Sequence, residues 1–148
     1  MNKHMNYIVL DLEWNQGSRP APKDVPIFEI IEIGAVKLDE QFHIVDTFQS
    51  LIRPQIYNTM HKITAELVNL DMRDLEDEEE FTKVAEEFLR WCGEDYLFCI
   101  WGVQDLKKLK KNMDYYHMKS LSKGPLKYYD IQKLYSLACE DGKVRSSL

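Results

Sequence analysis

Two carboxylates stand two residues apart in the first apolar run of the chain, which extends from Tyr7 to Trp14. In a β-strand alternate side chains share a face, so Val9, Asp11 and Glu13 are expected on one face. The other face would carry Ile8, Leu10, Leu12 and Trp14. The two acids therefore stand side by side.

An unpaired carboxylate in a hydrophobic strand is costly, so a positive partner is expected. No Lys or Arg lies between Met5 and Gln16, which leaves a distant basic side chain or a metal ion. Hard cations such as Mg²⁺ and Mn²⁺ prefer oxygen ligands, and carboxylates at positions i and i+2 can reach the same small volume. The alternative is an edge strand whose acids face water.

Two more aspartates follow short predicted strands where a helix begins. Asp105 comes after the apolar run 96–101, and Asp130 closes the run 127–130. Since Asp is a favoured N-cap, capping is the default interpretation of both. Four lysines after Asp105 either contact phosphates or form a solvated helix face; they are Lys107, Lys108, Lys110 and Lys111.

The elements that position these residues are three consecutive strands followed by helices that alternate with two further strands. The apolar patterns predict strands at 7–14, 27–38, 41–52, 96–101 and 127–130. Helices are predicted at 65–69 with Thr64 as N-cap, at 81–92, after 105 and after 130. A three-strand antiparallel meander followed by alternating strands and helices predicts a mixed sheet with helices packed on it.

Composition limits the class of protein. A chain of 148 residues, 45% hydrophobic and 30% charged, is the size of one globular domain, 1–148. No apolar run approaches a signal peptide or a membrane span, and three cysteines without metal-type spacing suit free thiols. We therefore expect a cytoplasmic location and no membrane contact. The net charge of −6 argues against binding nucleic acid by bulk electrostatics.

Taken together, these pieces resemble the DEDD superfamily of 3′-to-5′ exonucleases, which has the ribonuclease H-like fold. The segment Val9-Leu10-Asp11-Leu12-Glu13 resembles the first motif of this superfamily. The segment from Glu29 to Val36 is similar to the second strand of its proofreading branch. The segment Trp101-Gly102-Val103-Gln104-Asp105 resembles the second motif of the superfamily. The proline-bearing loop after Glu13 and the Trp-Gly pair are more similar to the KapD-like, RNA-processing exonucleases of the DEDDh branch.

The resemblance implies a ribonuclease H-like α/β fold, with a mixed five-stranded sheet of three antiparallel strands and then two parallel strands, flanked by helices. It also implies that Asp11, Glu13 and Asp105 hold two divalent metal ions, Mg²⁺ or Mn²⁺, and are catalytic. Met60-His61-Lys62-Ile63-Thr64 resembles the segment that touches the terminal nucleotide, so His61 and Ile63 are substrate-binding candidates.

Two of the substrate-contact candidates have a simpler interpretation. Trp14 is placed to stack on a base, which is worth ~1–3 kcal/mol, although an aromatic residue after a strand also suits a core position. His61 is equally suited to a local hydrogen bond.

The chain departs from the family in its last motif, a His-x-x-x-x-Asp helix that supplies the general base and the fourth metal ligand. No His follows His117. The resemblance therefore implies that the family's C-terminal helices are missing from this chain. A general base is typically worth ~10²–10⁴ in rate, so the chain is expected to cleave poorly. The uncovered apolar face is expected to cause self-association or to bind a partner.

The favoured hypothesis is a metal-dependent 3′-to-5′ exonuclease that releases nucleoside monophosphates from single-stranded ends, with RNA favoured over DNA. The alternative is a non-catalytic nucleic-acid-binding or assembly module with an incomplete exonuclease site. A phosphohydrolase on another α/β scaffold ranks last, because the Asp-x-Asp of the aspartyl-phosphate enzymes is absent.

Overall fold

A computed structural model describes residues 4–17, 21–119 and 127–139. Its strands are β1 (Asn6–Gln16), β2 (Phe28–Leu38), β3 (Ile44–Leu51), β4 (Tyr96–Ile100) and β5 (Tyr128–Asp130). Its helices are α1 (Lys62–Val68), α2 (Met72–Leu75), α3 (Phe81–Cys92), α4 (Gln104–Tyr115) and α5 (Ile131–Cys139). Each predicted strand is present within a few residues of its expected bounds.

The five strands form one mixed sheet in the order β3-β2-β1-β4-β5. Strand β2 pairs antiparallel with β1 and β3, whereas β4 pairs parallel with β1 and β5. The predicted arrangement of three antiparallel strands followed by two parallel strands is confirmed. Because β1 lies in the middle of the sheet, the edge-strand alternative is wrong.

The side chains of β1 alternate as its sequence predicts. Ile8, Leu10 and Leu12 are buried, whereas Val9 and Asp11 are exposed. The buried face packs on α3 and α4, whose buried residues include Phe88 and Leu109. Burial of these apolar side chains places the core on one face of the sheet and leaves the acids on the other.

The pairing of β1 with β2 is irregular at one point. Glu13 lies opposite Glu32, but the next pair is Trp14 with Ile30, so Ile31 is an extra residue in β2. The register resumes with Asn15 opposite Glu29. Such a β-bulge bends a strand and increases its twist, and bulges are common beside functional sites.

Helix α1 differs from the prediction at its start. It begins at Lys62, and His61 is its N-cap, with the Ile63 N–H donating to His61 Nδ1 at 3.3 Å. Thr64, the expected cap, is buried inside the helix and donates its hydroxyl to the Trp14 carbonyl at 3.3 Å. The prediction followed the usual preference of N-caps for Thr over His, which this long-range hydrogen bond overrides.

None of the described helices is long and apolar enough to cross a membrane.

Candidate functional site

The predicted acids lie where β1 and β4 separate. The parallel pairing of the two strands ends at Val9 and Cys99, while β1 continues to Gln16. Asp105, in the first turn of α4, occupies the gap, and its Oδ2 accepts a hydrogen bond from the Leu12 N–H at 3.2 Å. Since Leu12 lies between Asp11 and Glu13, this contact brings Asp105 to the pair of acids from 93 residues away in sequence.

The capping interpretation holds for one of the two aspartates at strand ends. Asp130 Oδ1 accepts hydrogen bonds from the Lys133 N–H at 3.1 Å and the Gly102 N–H at 3.3 Å, so it caps the start of α5. Asp105 is not a cap, because the N-cap of α4 is Val103, which makes no side-chain capping bond. The carboxylate of Asp105 is thus available to β1.

A fourth carboxylate, Glu32, joins the group from β2. It lies directly opposite Glu13 in the antiparallel register, where side chains share a face. The Gln49 side-chain amide donates to Glu32 Oε1 at 2.7 Å. This bond to the neighbouring strand is a structural contact of Glu32. Its charge nevertheless acts on the neighbouring acids.

The electrostatics of the acid cluster, which we define as Asp11, Glu13, Glu32 and Asp105, favour protons or cations. Partial desolvation and then the charge of Glu32 raise the pKa of Asp11, and the Leu12 N–H opposes this. Desolvation raises the pKa of Glu13, and the charges of Asp11, Glu32 and Asp105 raise it further.

Asp105 shows the largest shift in the acid cluster. Burial raises its pKa to about 6, with the Leu12 N–H acting in the opposite direction, Asp11 adding to the rise and Lys108 reducing it. The cluster therefore carries negative charge that the protein only partly compensates.

The donor chemistry of the acid cluster suits a hard divalent cation, because all its ligating atoms are carboxylate oxygens. In the described ranges, however, no three His, Cys, Asp or Glu side chains are grouped so that they could hold a metal ion. The structure therefore brings Asp11, Glu13 and Asp105 into electrostatic contact without arranging them as a finished metal cage.

Lys108 is the basic residue beside the acid cluster. Its Nζ lies 4.1 Å from the centroid of the Trp14 ring and 4.6 Å from that of Phe28. Burial lowers the pKa of Lys108, and the charge of Asp105 partly restores it. The four lysines thus do not act alike, since Lys110 pairs instead with Asp114 at 2.6 Å.

Trp14, predicted to stack on a base, is half-buried and packs against the core. The Trp14 ring also contacts the Phe28 ring in a T-shaped arrangement, with 6.1 Å between the centroids. The Lys108 ammonium group lies over the Trp14 ring. These contacts favour the core interpretation of Trp14.

Replacing Lys108 by Met is expected to tighten Mn²⁺ binding about two- to tenfold, because it removes a positive charge next to Asp105. The Mn²⁺ concentration that gives half-maximal thermal stabilisation measures this change. Lys107→Met is the matched control, because Lys107 makes the same charge change from an exposed position. Equal shifts in both variants would show that Lys108 has no specific influence on the acid cluster.

His61 and Ile63 lie at the start of α1, next to the end of β1. The His61 N–H donates to Asn15 Oδ1 at 2.9 Å, which ties this segment to a residue two positions beyond Glu13. The Ile63 side chain is 56% exposed and is free to meet a ligand. The local hydrogen bond expected for His61 is present as its capping bond.

Comparison with known proteins assigns this architecture to a class and then to a family. A mixed five-stranded sheet flanked by helices, with acids on its central strand, is the ribonuclease H-like fold. The sequence model of the exonuclease family RNase_T matches residues 8–138. The chain belongs to this exonuclease family.

Several solved structures share the fold. The nuclease domain of 3′hExo, a DEDDh family member bound to rAMP, is 21% identical, with a TM-score of 0.71 over 89% of this chain and 69% of that one. Cell-death related nuclease 4 (CRN-4) is 20% identical, with a TM-score of 0.73 over 97% of this chain and 51% of that one.

E. coli Exonuclease I in complex with a dT13 oligonucleotide is 6% identical, with a TM-score of 0.71 over 90% of this chain and 29% of that one. This chain thus spans about half to two thirds of CRN-4 and the 3′hExo nuclease domain, and less than a third of Exonuclease I. No curated protein sequence matches this chain significantly.

Proposed function

We propose that the chain is a metal-dependent 3′-to-5′ exonuclease domain acting on single-stranded nucleic acid and releasing nucleoside monophosphates. The observation that carries the proposal is the acid cluster at the end of the central strand, in a chain of the exonuclease family. Its excess negative charge is the property that binding of a divalent cation would relieve.

In this proposal Asp11, Glu13 and Asp105 hold two divalent cations, Mg²⁺ or Mn²⁺. When bound, such ions lower the pKa of water and stabilise the leaving oxygen of an in-line displacement. By the resemblance to the DEDD exonucleases, Asp11 is the candidate for binding both ions. Asp105 keeps one carboxylate oxygen on the Leu12 N–H, which leaves the other for a cation. Glu32 contributes charge from the adjacent strand.

The substrate is proposed to enter beside α1. His61 and Ile63 would contact the terminal nucleotide, since both lie next to the end of β1. Trp14, half-buried at the end of β1, would contribute its ring to the same contact with the substrate. RNA is favoured by the resemblance to RNA-processing exonucleases. A solved 3′-exonuclease with 3′-end specific recognition of the histone mRNA stem-loop shares this fold at 20% identity.

We further propose that this 148-residue chain cleaves slowly by itself. No His follows His117, so the chain contains no His-x-x-x-x-Asp motif to supply a base and a fourth ligand. The organisation of 1–148 as one domain, the cytoplasmic location and self-association are parts of the same proposal. Self-association is supported by exposed apolar side chains such as Phe42, Ile44, Leu134 and Leu137.

The test is cleavage of a single-stranded RNA labelled at its 5′ end, with Mn²⁺ in excess and at high protein concentration. Stepwise shortening from the 3′ end is expected, because the proposed site accepts one terminal nucleotide at a time. The same strand with a 3′ phosphate and a matched DNA strand serve as controls for end recognition and sugar preference. Internal cuts, or shortening from the 5′ end, would contradict the proposal.

A second candidate, a binding module without cleavage, is favoured by one observation. The acids of the described residues are not already grouped as a metal site. Binding of the RNA without Mn²⁺-dependent shortening would support this candidate over the enzyme.

A further inference from the structure

Two buried polar side chains face each other just beyond the acid cluster. Asn15 is 0% exposed and Glu29 is 3% exposed, and they are direct partners in the β1/β2 register. Neither has a role in the mechanism above. Buried polar groups need hydrogen-bond partners, and both find theirs in one stretch of chain outside the sheet, residues 55–61.

Glu29 binds the first part of this stretch through main-chain groups. Its Oε2 accepts the N–H groups of Gln55 and Ile56, each at 2.7 Å, and its Oε1 accepts that of Tyr57 at 3.1 Å. Three donors converge on two oxygens. A carboxylate satisfies all of them, whereas an amide of the same size would turn its NH₂ group towards an N–H.

Asn15 binds the second part with both ends of its amide. Its Nδ2 donates to the Thr59 carbonyl at 2.9 Å, and its Oδ1 accepts the His61 N–H at 2.9 Å. One step further on, the Thr64 hydroxyl reaches the Trp14 carbonyl. Residues 55–64 are thus hydrogen-bonded at several points to the last residues of β1 and the first residues of β2.

Two other side-chain hydrogen bonds reach this stretch: the Tyr57 hydroxyl donates to the Pro26 carbonyl at 2.7 Å, and the Gln55 side-chain amide donates to Glu80 Oε2 at 3.4 Å. Among the described residues 53–63 none is buried, so hydrophobic packing contributes little to its position. The five hydrogen bonds to Asn15 and Glu29 therefore contribute most to where the exposed start of α1 lies. Asn15 is two residues from Glu13, about 7 Å along the strand, so they set its distance from the acid cluster as well.

We propose that Asn15 and Glu29 are positioning residues, which hold the start of α1 at a fixed distance from the acid cluster so that it receives the 3′-terminal nucleotide. This inference rests on the proposed function. The pair acts only through the backbone of 55–61 and does not touch the substrate. A displacement of about 1 Å in a substrate-positioning element can cost roughly 10²-fold in rate, so the effect on function should be large.

The variants are Glu29→Gln, which keeps the size and removes one acceptor, and Asn15→Leu, which keeps the shape and removes both hydrogen bonds. Glu79→Gln is the control for the charge change, since Glu79 is exposed and pairs with Lys83. Val84→Ala is the control for lost stability alone, because Val84 is a buried residue of the hydrophobic core on α3.

Two readouts separate this inference from the proposed function. Amide hydrogen exchange at residues 55–57 and 61 reports the hydrogen bonds themselves. Fluorescence anisotropy with a short single-stranded RNA labelled at its 5′ end reports binding without any cleavage. In both variants we expect faster amide exchange and RNA binding that is weaker by about tenfold or more. The Mn²⁺ concentration that gives half-maximal thermal stabilisation should not change. Both control variants should behave like wild type in these measurements.

Fast exchange with unchanged RNA binding would overturn the positioning role and leave the proposed function standing. Unchanged exchange in both variants would show that these bonds do not hold the stretch, which also overturns the inference. If Glu29→Gln fails to fold, Asn15→Leu gives the same test from the other strand. Failure of the wild-type chain to bind or shorten RNA would overturn the proposed function, and the positioning role with it.

Discussion

Replacing Asp11 by Asn is expected to reduce Mn²⁺-dependent shortening of single-stranded RNA by roughly 10³-fold or more, because a central cation ligand is lost. Asn has nearly the shape of Asp, and Asp11 is exposed on its strand, so the fold should persist. Removing its charge also relieves the repulsion with Glu13, which should leave the metal-free protein at least as stable as wild type. Single-turnover cleavage with protein in excess measures the loss.

Asp114→Asn is the matched control for Asp11→Asn. Asp114 lies on α4, pairs with Lys110 at the surface and takes no part in the acid cluster. Its removal should change the cleavage rate little, since exposed ion pairs contribute at most about 1 kcal/mol. Cleavage by Asp11→Asn at the wild-type rate would show that the reaction does not use Asp11.

Replacing Asp105 by Asn is expected to stabilise the metal-free protein at pH 7 while weakening its response to Mn²⁺. Burial raises the pKa of Asp105 to about 6, above the ordinary value of 3.8. Between these values the folded protein holds a proton that the unfolded chain releases, so stability falls as the pH rises from about 4 to about 6. Asn cannot ionise, and its side-chain oxygen can still accept the Leu12 N–H.

The size of the expected gain in stability follows from the rise in the pKa of Asp105. A shift of about two pKa units corresponds to about 3 kcal/mol, and solvent screening of this partly exposed side chain reduces the expected gain to about 1–2 kcal/mol. Urea unfolding with a chelator, at several pH values between 4 and 7, measures it. The raised pKa values of Asp11 and Glu13 act with the same sign and should leave a smaller pH dependence in the variant.

The Mn²⁺ response supplies the second half of the Asp105 prediction. A ligand that binds only the folded state at 100 times its Kd adds about 2.7 kcal/mol of stability, and loss of one carboxylate should remove much of that gain. Asp114→Asn should keep both the pH dependence and the Mn²⁺ response of wild type. A pH profile that is the same in wild type and Asp105→Asn would contradict the assigned pKa.

The parts of the fold that depend on local pattern could be predicted from the sequence. Alternation in β1 predicted its buried and exposed faces, and the apolar pattern predicted helix α3, whose buried residues include Phe81, Val84 and Phe88. The resemblance gave the order of antiparallel and parallel strands. Asp11 and Glu13 could be singled out because carboxylates in an apolar strand demand a partner.

Contacts between distant parts of the chain could not be predicted in this way. Nothing near Asp105 in sequence indicates that it accepts the Leu12 N–H, and an Asp at a strand end ordinarily suggests a cap. Lys108 looked like one of four surface lysines until packing placed it on the rings of Trp14 and Phe28. A helix cap by His61 is likewise decided by the tertiary contact of Thr64.

Glu29 gave a signal in the sequence, but the sequence did not show what its partner is. Glu29 sits in an apolar run just as Asp11 does, so the same argument called for a partner. Its partners are backbone N–H groups, which leave no mark in the sequence. A buried acid in a strand can therefore indicate a loop whose backbone N–H groups bind that acid, as well as a metal site.

The extra residue at Ile31 has a consequence for any redesign of this sheet. In a regular strand, residues three apart point to opposite faces, so Glu29 and Glu32 could not both face their partners on β1. The bulge shifts the phase of the alternation by one residue, which lets Glu32 lie opposite Glu13 and Glu29 lie opposite Asn15. A designer who grafts this site onto another scaffold must transplant the irregularity together with the acids.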